Sequence, residues 1–301
     1  MVANPIAGRG RGERAGRELV EGLAGLGCTA ELRLTTAGGD ARTWAADAAG
    51  ADGSDPVDLV ASIGGDGTLR EVLEGLASVD RSDLPVAMLP MGTANVLAVD
   101  FRLPDHVPGV LELVRAGRTR DLDLARVGTP ADPASTSFLA IGVGLDAEVI
   151  ERLHTARTGA ITKLSYVPHA LRAAGAHRPP RLEVRLDGER LEGTFGQVIV
   201  SNLRNYGGLM RLDRRCRADD GLWEVYLWRR AARRDLAGSF LRALAGRIPG
   251  GACESVQARQ VSVSSEQPVA YHVDGDPGGR TPVTLEVTGR RQAILAPPPR
   301  P

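Results

Sequence analysis

The run Ser62-Ile63-Gly64-Gly65-Asp66-Gly67-Thr68 sets three glycines and an aspartate between a short apolar run and an amphipathic stretch. Glycines let the backbone approach a ligand closely, and a helix opening behind them offers unpaired N–H groups and a positive dipole end to phosphate. Asp66 stands inside that loop, where a bare phosphate would be repelled. A bridging Mg²⁺ or a proton-transfer role resolves the conflict. A tight turn with Asp66 as a helix cap is the plainer alternative. Two further segments share the design. Asn4-Pro5-Ile6-Ala7-Gly8-Arg9-Gly10 would close a first strand and open a first helix, and Leu89-Pro90-Met91-Gly92-Thr93-Ala94-Asn95 would do the same after a strand at Pro85. Each alone reads equally well as a turn. Together, three glycine-bearing loops after strands can converge at one sheet edge, which points to a nucleoside triphosphate site.

The elements that would hold these loops are visible as periodicity. Ala15, Leu19, Leu23 and Leu26 recur at helical spacing, and Leu32 and Leu34 then alternate as in a strand. Ala41, Trp44, Ala45 and Ala48 form a second helix face. Val57 to Ile63 and Pro85 to Leu89 read as buried strands. Leu69, Val72, Leu73 and Leu76 follow at i, i+3, i+4, i+7, and Val107, Val110, Leu111 and Val114 mark a further helix. This alternation predicts an open, mostly parallel sheet with helices on its faces. From about Arg120 the rhythm changes. Leu122 and Leu124 alternate, Phe138 to Ile141 is a compact apolar run, and Leu182, Val184 and Leu186 lead into the hairpin signal Asp187-Gly188. Gln197 to Ser201, Leu222 to Trp228, Val261 to Ser264, Val269 to Val273 and Val283 to Val287 complete an antiparallel sandwich pattern.

Bulk composition narrows the classes. A length of 301 residues suggests two domains at about 150 residues each. Lys+Arg and Asp+Glu both number 37, so no global field draws nucleic acid or anionic membrane. Lys163 is the only lysine, so phosphate would be held by Arg, backbone N–H groups or a metal. Cys28, Cys216 and Cys253 lack metal-ligand spacing and fit a reducing cytoplasm. No apolar run approaches the roughly 18 residues of a bilayer span, and no signal peptide precedes the fold. Only Met1 to Ala3 remain for a first strand, as a late start site or a trimmed chain would leave it.

The three glycine segments, in this order and spacing, resemble the diacylglycerol kinase catalytic domain shared by bacterial lipid kinases and by sphingosine and ceramide kinases. The resemblance continues through Gly142-Val143-Gly144-Leu145-Asp146-Ala147, Asn202 to Gly208, Asp219-Asp220-Gly221-Leu222 and Val273-Asp274-Gly275-Asp276, and covers nearly the whole chain. A Gly-Gly-Asp-Gly-Thr loop also occurs in NAD kinases, but the opening Asn-Pro turn and the closing Asp-Gly-Asp segment are similar to the lipid branch. The resemblance implies an α/β nucleotide-binding domain over 1–119, joined by a returning segment 280–296. It further implies a lipid-binding β-sandwich over 120–279 with the active cleft between the two, and a disordered Pro-rich tail over 297–301. The implied reaction is transfer of the ATP γ-phosphoryl group to a lipid hydroxyl, diacylglycerol first. A non-catalytic nucleotide- or lipid-binding protein of the same fold, or an NAD kinase, is the alternative.

Carried over by position, the family's nucleotide contacts fall on Asn4, Pro5, Ile6, Ala7 and Gly8, and on Thr35. They continue on Gly64, Gly65, Asp66, Gly67, Thr68, Leu69 and Arg70, and end on Gly92, Thr93 and Asn95. Arg70 stands where many relatives have Asn. The catalytic carboxylate of the bacterial branch falls on Asp276, where relatives commonly have Glu; the sphingosine kinase branch assigns the base to the loop aspartate, here Asp66. Both stay open. A structural Mg²⁺ would take the Asp220 carboxylate and the backbone carbonyls of Arg217 and Leu222, although composition alone reads Asp219-Asp220-Gly221 as an acidic turn. The implied partners are ATP, Mg²⁺ and a membrane lipid, with cytoplasmic location and transient peripheral contact at a membrane surface; a homodimer is compatible with the sequence.

Other features are weaker. Gly142 to Ala147 mimics a dinucleotide fingerprint outside any βαβ run. His106, His154, His169, His177 and His272 have no ligand spacing and read as structural or surface groups, with His272 a candidate to line the cleft. Trp228 to Ile248 mixes Arg229, Arg230, Arg233, Arg234, Arg242 and Arg247 with Leu236, Phe240, Leu241 and Leu244. That segment would suit an anionic membrane, but a solvated helix packed on the sandwich is the preferred reading.

Overall fold

Strand β1 (Val2–Ala3) ends after two residues because Pro5 has no N–H to continue a ladder. The chain turns through α1 (Ala7–Gly10) into α2 (Gly12–Gly25), then β2 (Arg33–Leu34) and α3 (Asp40–Gly50). Next come β3 (Val60–Gly64), α4 (Asp66–Ser78), β4 (Val86–Pro90), α5 (Val96–Phe101) and α6 (Val107–Ala116). The computed structural model of the chain describes residues 1–50, 57–129, 132–155 and 178–299. They form two compact units, Met1–Leu122 with Arg290–Pro301, and Asp123–Gly289.

In the first unit β2, β1, β3 and β4 lie side by side in that order, all parallel. Every residue of β3 and β4 is buried, as in a strand covered on both faces. The α4 stripe behaves as its spacing requires, with Leu69, Val72, Leu73 and Leu76 each 0% exposed. Leu26 does not join the α2 face; it is the C-cap residue and is exposed.

The second unit is built from antiparallel strands. It takes in most of β5 (Thr119–Thr129), then β6 (Asp132–Ser137), β7 (Ala140–Val143) and helix α7 (Leu145–Thr155). Beyond residues 156–177 follow β8 (Leu182–Leu186), β9 (Glu189–Arg190), β10 (Gln197–Ser201), β11 (Asn205–Tyr206), β12 (Met210–Arg211) and β13 (Trp223–Trp228). Helix α8 (Arg233–Leu244) precedes β14 (Cys253–Ala258), β15 (Gln260–Ser265), β16 (Ala270–Val273), β17 (Asp276–Arg280) and β18 (Val283–Leu295). One sheet runs β14-β13-β10-β7-β16-β17; the other includes β9-β8-β15 and the first half of β18. One core joins them: Val184, Val261 and Leu285 from one sheet meet Ile141, Val198 and Val225 from the other. Asp187 and Gly188 both adopt positive φ (50° and 89°), the geometry of the tight turn that twists with its strands.

The far end of β18 belongs to the first unit, where Ile294 pairs with Val86 in parallel. The tail expected to be disordered is held at Pro298, whose carbonyl accepts from Arg102 Nη2 at 2.7 Å, while residues 300 and 301 lie outside the described residues. His169 and His177 also lie outside them. No helix among the described residues is long and apolar enough to cross a membrane.

Cys28 is exposed, whereas Cys216 and Cys253 are buried, and burial pushes the Cys253 thiol up to about 12. Because the thiolate is the reactive form, iodoacetamide at mildly alkaline pH should modify Cys28 alone in the folded chain. Peptide mapping that finds Cys253 labelled as fast as Cys28 would contradict this packing of β14.

Candidate functional site

The three glycine loops meet at the carboxyl edge of the parallel sheet. Asn4 N–H donates to Ile63 O (2.9 Å), tying the loop after β1 to the end of β3. Gly8 N–H donates to Met91 O (3.0 Å), and Met91 N–H donates to Gly64 O (2.7 Å), so each loop is bonded to the next. Gly65 and Gly92 touch backbone to backbone. A Cβ on Gly92 would lie 2.6 Å from Gly65 Cα, closer than real Cβ contacts allow. Asp66 then links the second and third loops, its Oδ2 accepting the Val96 N–H at 3.1 Å. Asp66 therefore does cap a helix, but it caps α5 and not α4, which it begins. Asn95, in the left-handed region (φ 48°), closes its own loop by accepting the Gly92 N–H (2.8 Å) and donating to Gly92 O (2.9 Å). Thr35 lies at the same edge after β2, its N–H donating to Ala3 O at 2.9 Å.

These bonds separate residues that shape the loops from residues that can face a ligand. The N–H groups of Ile6, Ala7, Gly8 and Gly92 are engaged within the loops themselves, and Pro5 has none. Leu69 is fully buried and its N–H is engaged by Gly65 O (3.1 Å), so neither its side chain nor its amide faces outward. That bond is the first of the α4 ladder. The amides of Asp66, Gly67 and Thr68 precede it, at the positive end of the helix. Arg70 is one turn into α4, 3.9 Å from Glu74, and Thr93 is exposed in the third loop.

In the second unit the Asp-Gly-Asp segment is a hairpin turn, with Asp274 and Gly275 both at positive φ (52° and 90°). Its two carboxylates have different employment. Asp274 accepts from Ser137 Oγ (2.6 Å) and from the N–H groups of Phe138, Leu139 and Ala140 (3.1, 3.0 and 2.9 Å). It holds β6 and β7 to the turn. Asp276 is 40% exposed and meets His154 Nε2 at 3.2 Å from helix α7. His154 is thus no idle surface group. His106 caps α6 by accepting the Gly109 N–H at Nδ1 (3.1 Å). His272 is buried, 3% exposed; its Nε2 lies 2.9 Å from both Asp146 Oδ2 and the Tyr206 hydroxyl, which itself donates to Asp146. Asp146 comes from the segment that mimics a dinucleotide fingerprint, so that run builds a buried polar cluster.

The Arg217 to Leu222 turn can be tested against Mg²⁺. Asp220 Oδ1 accepts the Leu222 N–H (3.1 Å), which brings two of the three expected ligand residues together. Asp123, fully buried, accepts the Gly221 N–H at 2.6 Å. Glu224 is buried, and its Oε2 has no hydrogen-bond partner among the described residues. Burial, and then the charge of Asp220, raise its pKa. An orphaned acidic oxygen beside an acidic turn is what a hard cation relieves, so the residues fit the metal. No cluster of three or more His, Cys, Asp or Glu ligands occurs among the described residues, but this donor set relies on carbonyls. Sequence reasoning named Asp146 and His154 without these partners and missed Asp123 and Glu224; Asp123, lodged between Leu122 and Leu124, had a visible signal.

Residues 1–127 match the diacylglycerol kinase catalytic domain, and residues 139–296 match the YegS C-terminal NAD kinase beta sandwich-like domain. The chain is 31% identical over 222 residues to a probable lipid kinase YegS-like of Cronobacter sakazakii, covering 72% of each. It is 29% identical over 213 residues to a probable lipid kinase YegS of Escherichia coli, covering 70% of this chain and 69% of that one. A crystal structure of a diacylglycerol kinase from Bacillus anthracis shares the fold at a TM-score of 0.72 and 19% identity, covering 99% of this chain and 96% of that one. Fold and matches together define a phosphotransferase of the lipid kinase class. The chain belongs to the YegS-like lipid kinase family.

The two turn aspartates should separate in stability. Removing four bonds to a half-buried carboxylate in Asp274→Ala should cost about 3 kcal/mol in urea unfolding, whereas Asp276→Asn should change stability by less than about 1 kcal/mol. Equal losses in both would contradict the assigned difference.

Proposed function

We propose that the chain transfers the γ-phosphoryl group of ATP to the hydroxyl of a membrane lipid, with diacylglycerol as the acceptor. The observation that carries this reading is the Gly65–Gly92 contact, which aligns two loops beside the α4 amides. A triphosphate suits such an edge, which offers close backbone approach and N–H donors, with Arg70 one turn into α4. Asp66 and the Arg217–Asp220–Leu222 turn are the groups that would hold Mg²⁺. When bound, the ion neutralises phosphate charge or stiffens its turn.

Asp276 is assigned the base. It is the more exposed of the two turn carboxylates, while Asp66 is engaged with the Val96 N–H. The lipid oxygen attacks the γ-phosphorus, the bond from that phosphorus to the β–γ bridging oxygen breaks, and ADP leaves with that oxygen. The hydroxyl proton passes to the Asp276 carboxylate and on to water. Positioning and charge neutralisation supply most of the catalysis in such transfers, so a weak base suffices.

The assay is transfer from γ-labelled ATP to diacylglycerol, sphingosine or ceramide in mixed micelles, with NAD as a separate acceptor. Labelled phosphatidic acid is expected, and Asp276→Asn should lower kcat about a hundredfold, the scale of a lost general base. Full activity in that variant removes Asp276 from its role, and labelling of NAD alone overturns the lipid reading.

A further inference from the structure

Helix α8 turns large apolar side chains outward. Its inner face docks through Ser239 and Ala243, both buried, with Trp228 Nε1 donating to Ser239 Oγ at 2.8 Å. On the outer face Phe240, Leu241 and Leu244 are exposed by 42, 66 and 46%. Helical spacing puts Arg233, Arg234 and Ala237 on the same side, and all three are exposed. Leu209, 46% exposed, lies in the turn between β11 and β12. Strand β12 packs beside α8, and its Arg211 lies against Gly246 just past the helix end. Packing on the sandwich thus explains only half of this helix. A cluster of large apolar side chains left in water marks an interaction surface.

Charge decides the occupant. The whole chain is balanced, yet residues 233–247 hold Arg233, Arg234, Arg242 and Arg247 against the single acid Asp235. The Asp235 carboxylate accepts the Ala232 N–H at 3.2 Å and lies 3.8 Å from Arg234. It is off the outward stripe. A second copy of the chain would bring the same arginines face to face. A nucleic acid would leave Phe240 and Leu241 in water. A bilayer with anionic headgroups meets both features, because the apolar side chains enter the acyl boundary while the arginines reach up to headgroup phosphates. Each such arginine strengthens partitioning roughly fivefold.

We propose that the outward face of α8, together with Leu209, is the surface on which the protein docks onto an anionic bilayer. The choice of occupant rests on the lipid-acceptor reading above, while the docking uses none of the residues assigned to catalysis.

Flotation of the whole chain with phosphatidylcholine vesicles, with and without phosphatidylglycerol, tests this. The wild type should float with phosphatidylglycerol vesicles, about tenfold less with phosphatidylcholine alone, and high salt should release it. The double variants F240S/L241S and R233E/R234E should each lose binding by about tenfold or more, with melting temperature and elution volume unchanged. Phosphorylation of a detergent-dispersed short-chain acceptor should be unaffected by either pair. Undiminished vesicle binding in both variants overturns the surface, as does a wild-type dimer that F240S/L241S dissociates. A wild type that phosphorylates the dispersed acceptor but never floats also overturns it, and leaves the kinase reading standing. Floating without any phosphorylation has the opposite meaning: the surface holds and the kinase reading fails.

Discussion

Two glycine backbones in contact, Gly65 against Gly92, constrain everything else at the edge where the three loops meet. The contact follows from sheet register, because β3 and β4 pair in parallel with Gly64 opposite Pro90, and the next residues must leave the sheet side by side. With no side chain at either position the loops close up, Met91 N–H reaches Gly64 O, and the Asp66 carboxylate reaches the Val96 N–H. A methyl group on Gly92 would need space that Gly65 Cα occupies, so the spacing of α4 and α5 depends on the lack of two methyl groups. The first loop depends on the same arrangement, since Gly8 is bonded to Met91 in the third.

The sandwich unit solves a related problem with a carboxylate. Asp274 gathers four donors from the chain between β6 and β7, which fixes the β16–β17 turn from below. That leaves Asp276, two residues on, held in a strand rather than a loop. In this chain Asp276 is accompanied by His154 at 3.2 Å. Division of labour between neighbouring acids recurs at the Asp220 turn, where Asp123 grips the backbone and Asp220 closes the turn.

How much of this was legible depended on where the information lay. The α4 face could be read because all four of its stripe residues serve one core, and Asp187-Gly188 because a tight turn needs positive φ locally. The three glycine loops were equally visible, since glycine carries its own conformational reason. Strand β14 (Cys253–Ala258) was not visible: only its end residues are buried, and it exists because β13 pairs with it. Strand β17 opens Asp-Pro-Gly-Gly, which locally reads as a turn, and β16 draws it into a ladder. The His154–Asp276 contact spans 122 residues, so no spacing rule reaches it. For α8 the periodicity was present, but sequence cannot say which face the core takes, and Phe240, Leu241 and Leu244 lie exposed. Leu69, a position carried over by family likeness, has its side chain in the core.

Amide hydrogen exchange of the whole chain, with and without ATP and Mg²⁺, tests most directly whether the linked loops hold a triphosphate. The account predicts that nucleotide slows exchange at residues 66–68 and around Gly92 to Val96, with little change across β8 and β15. Binding that protects other parts of the chain and leaves residues 66–68 exchanging as before would contradict it.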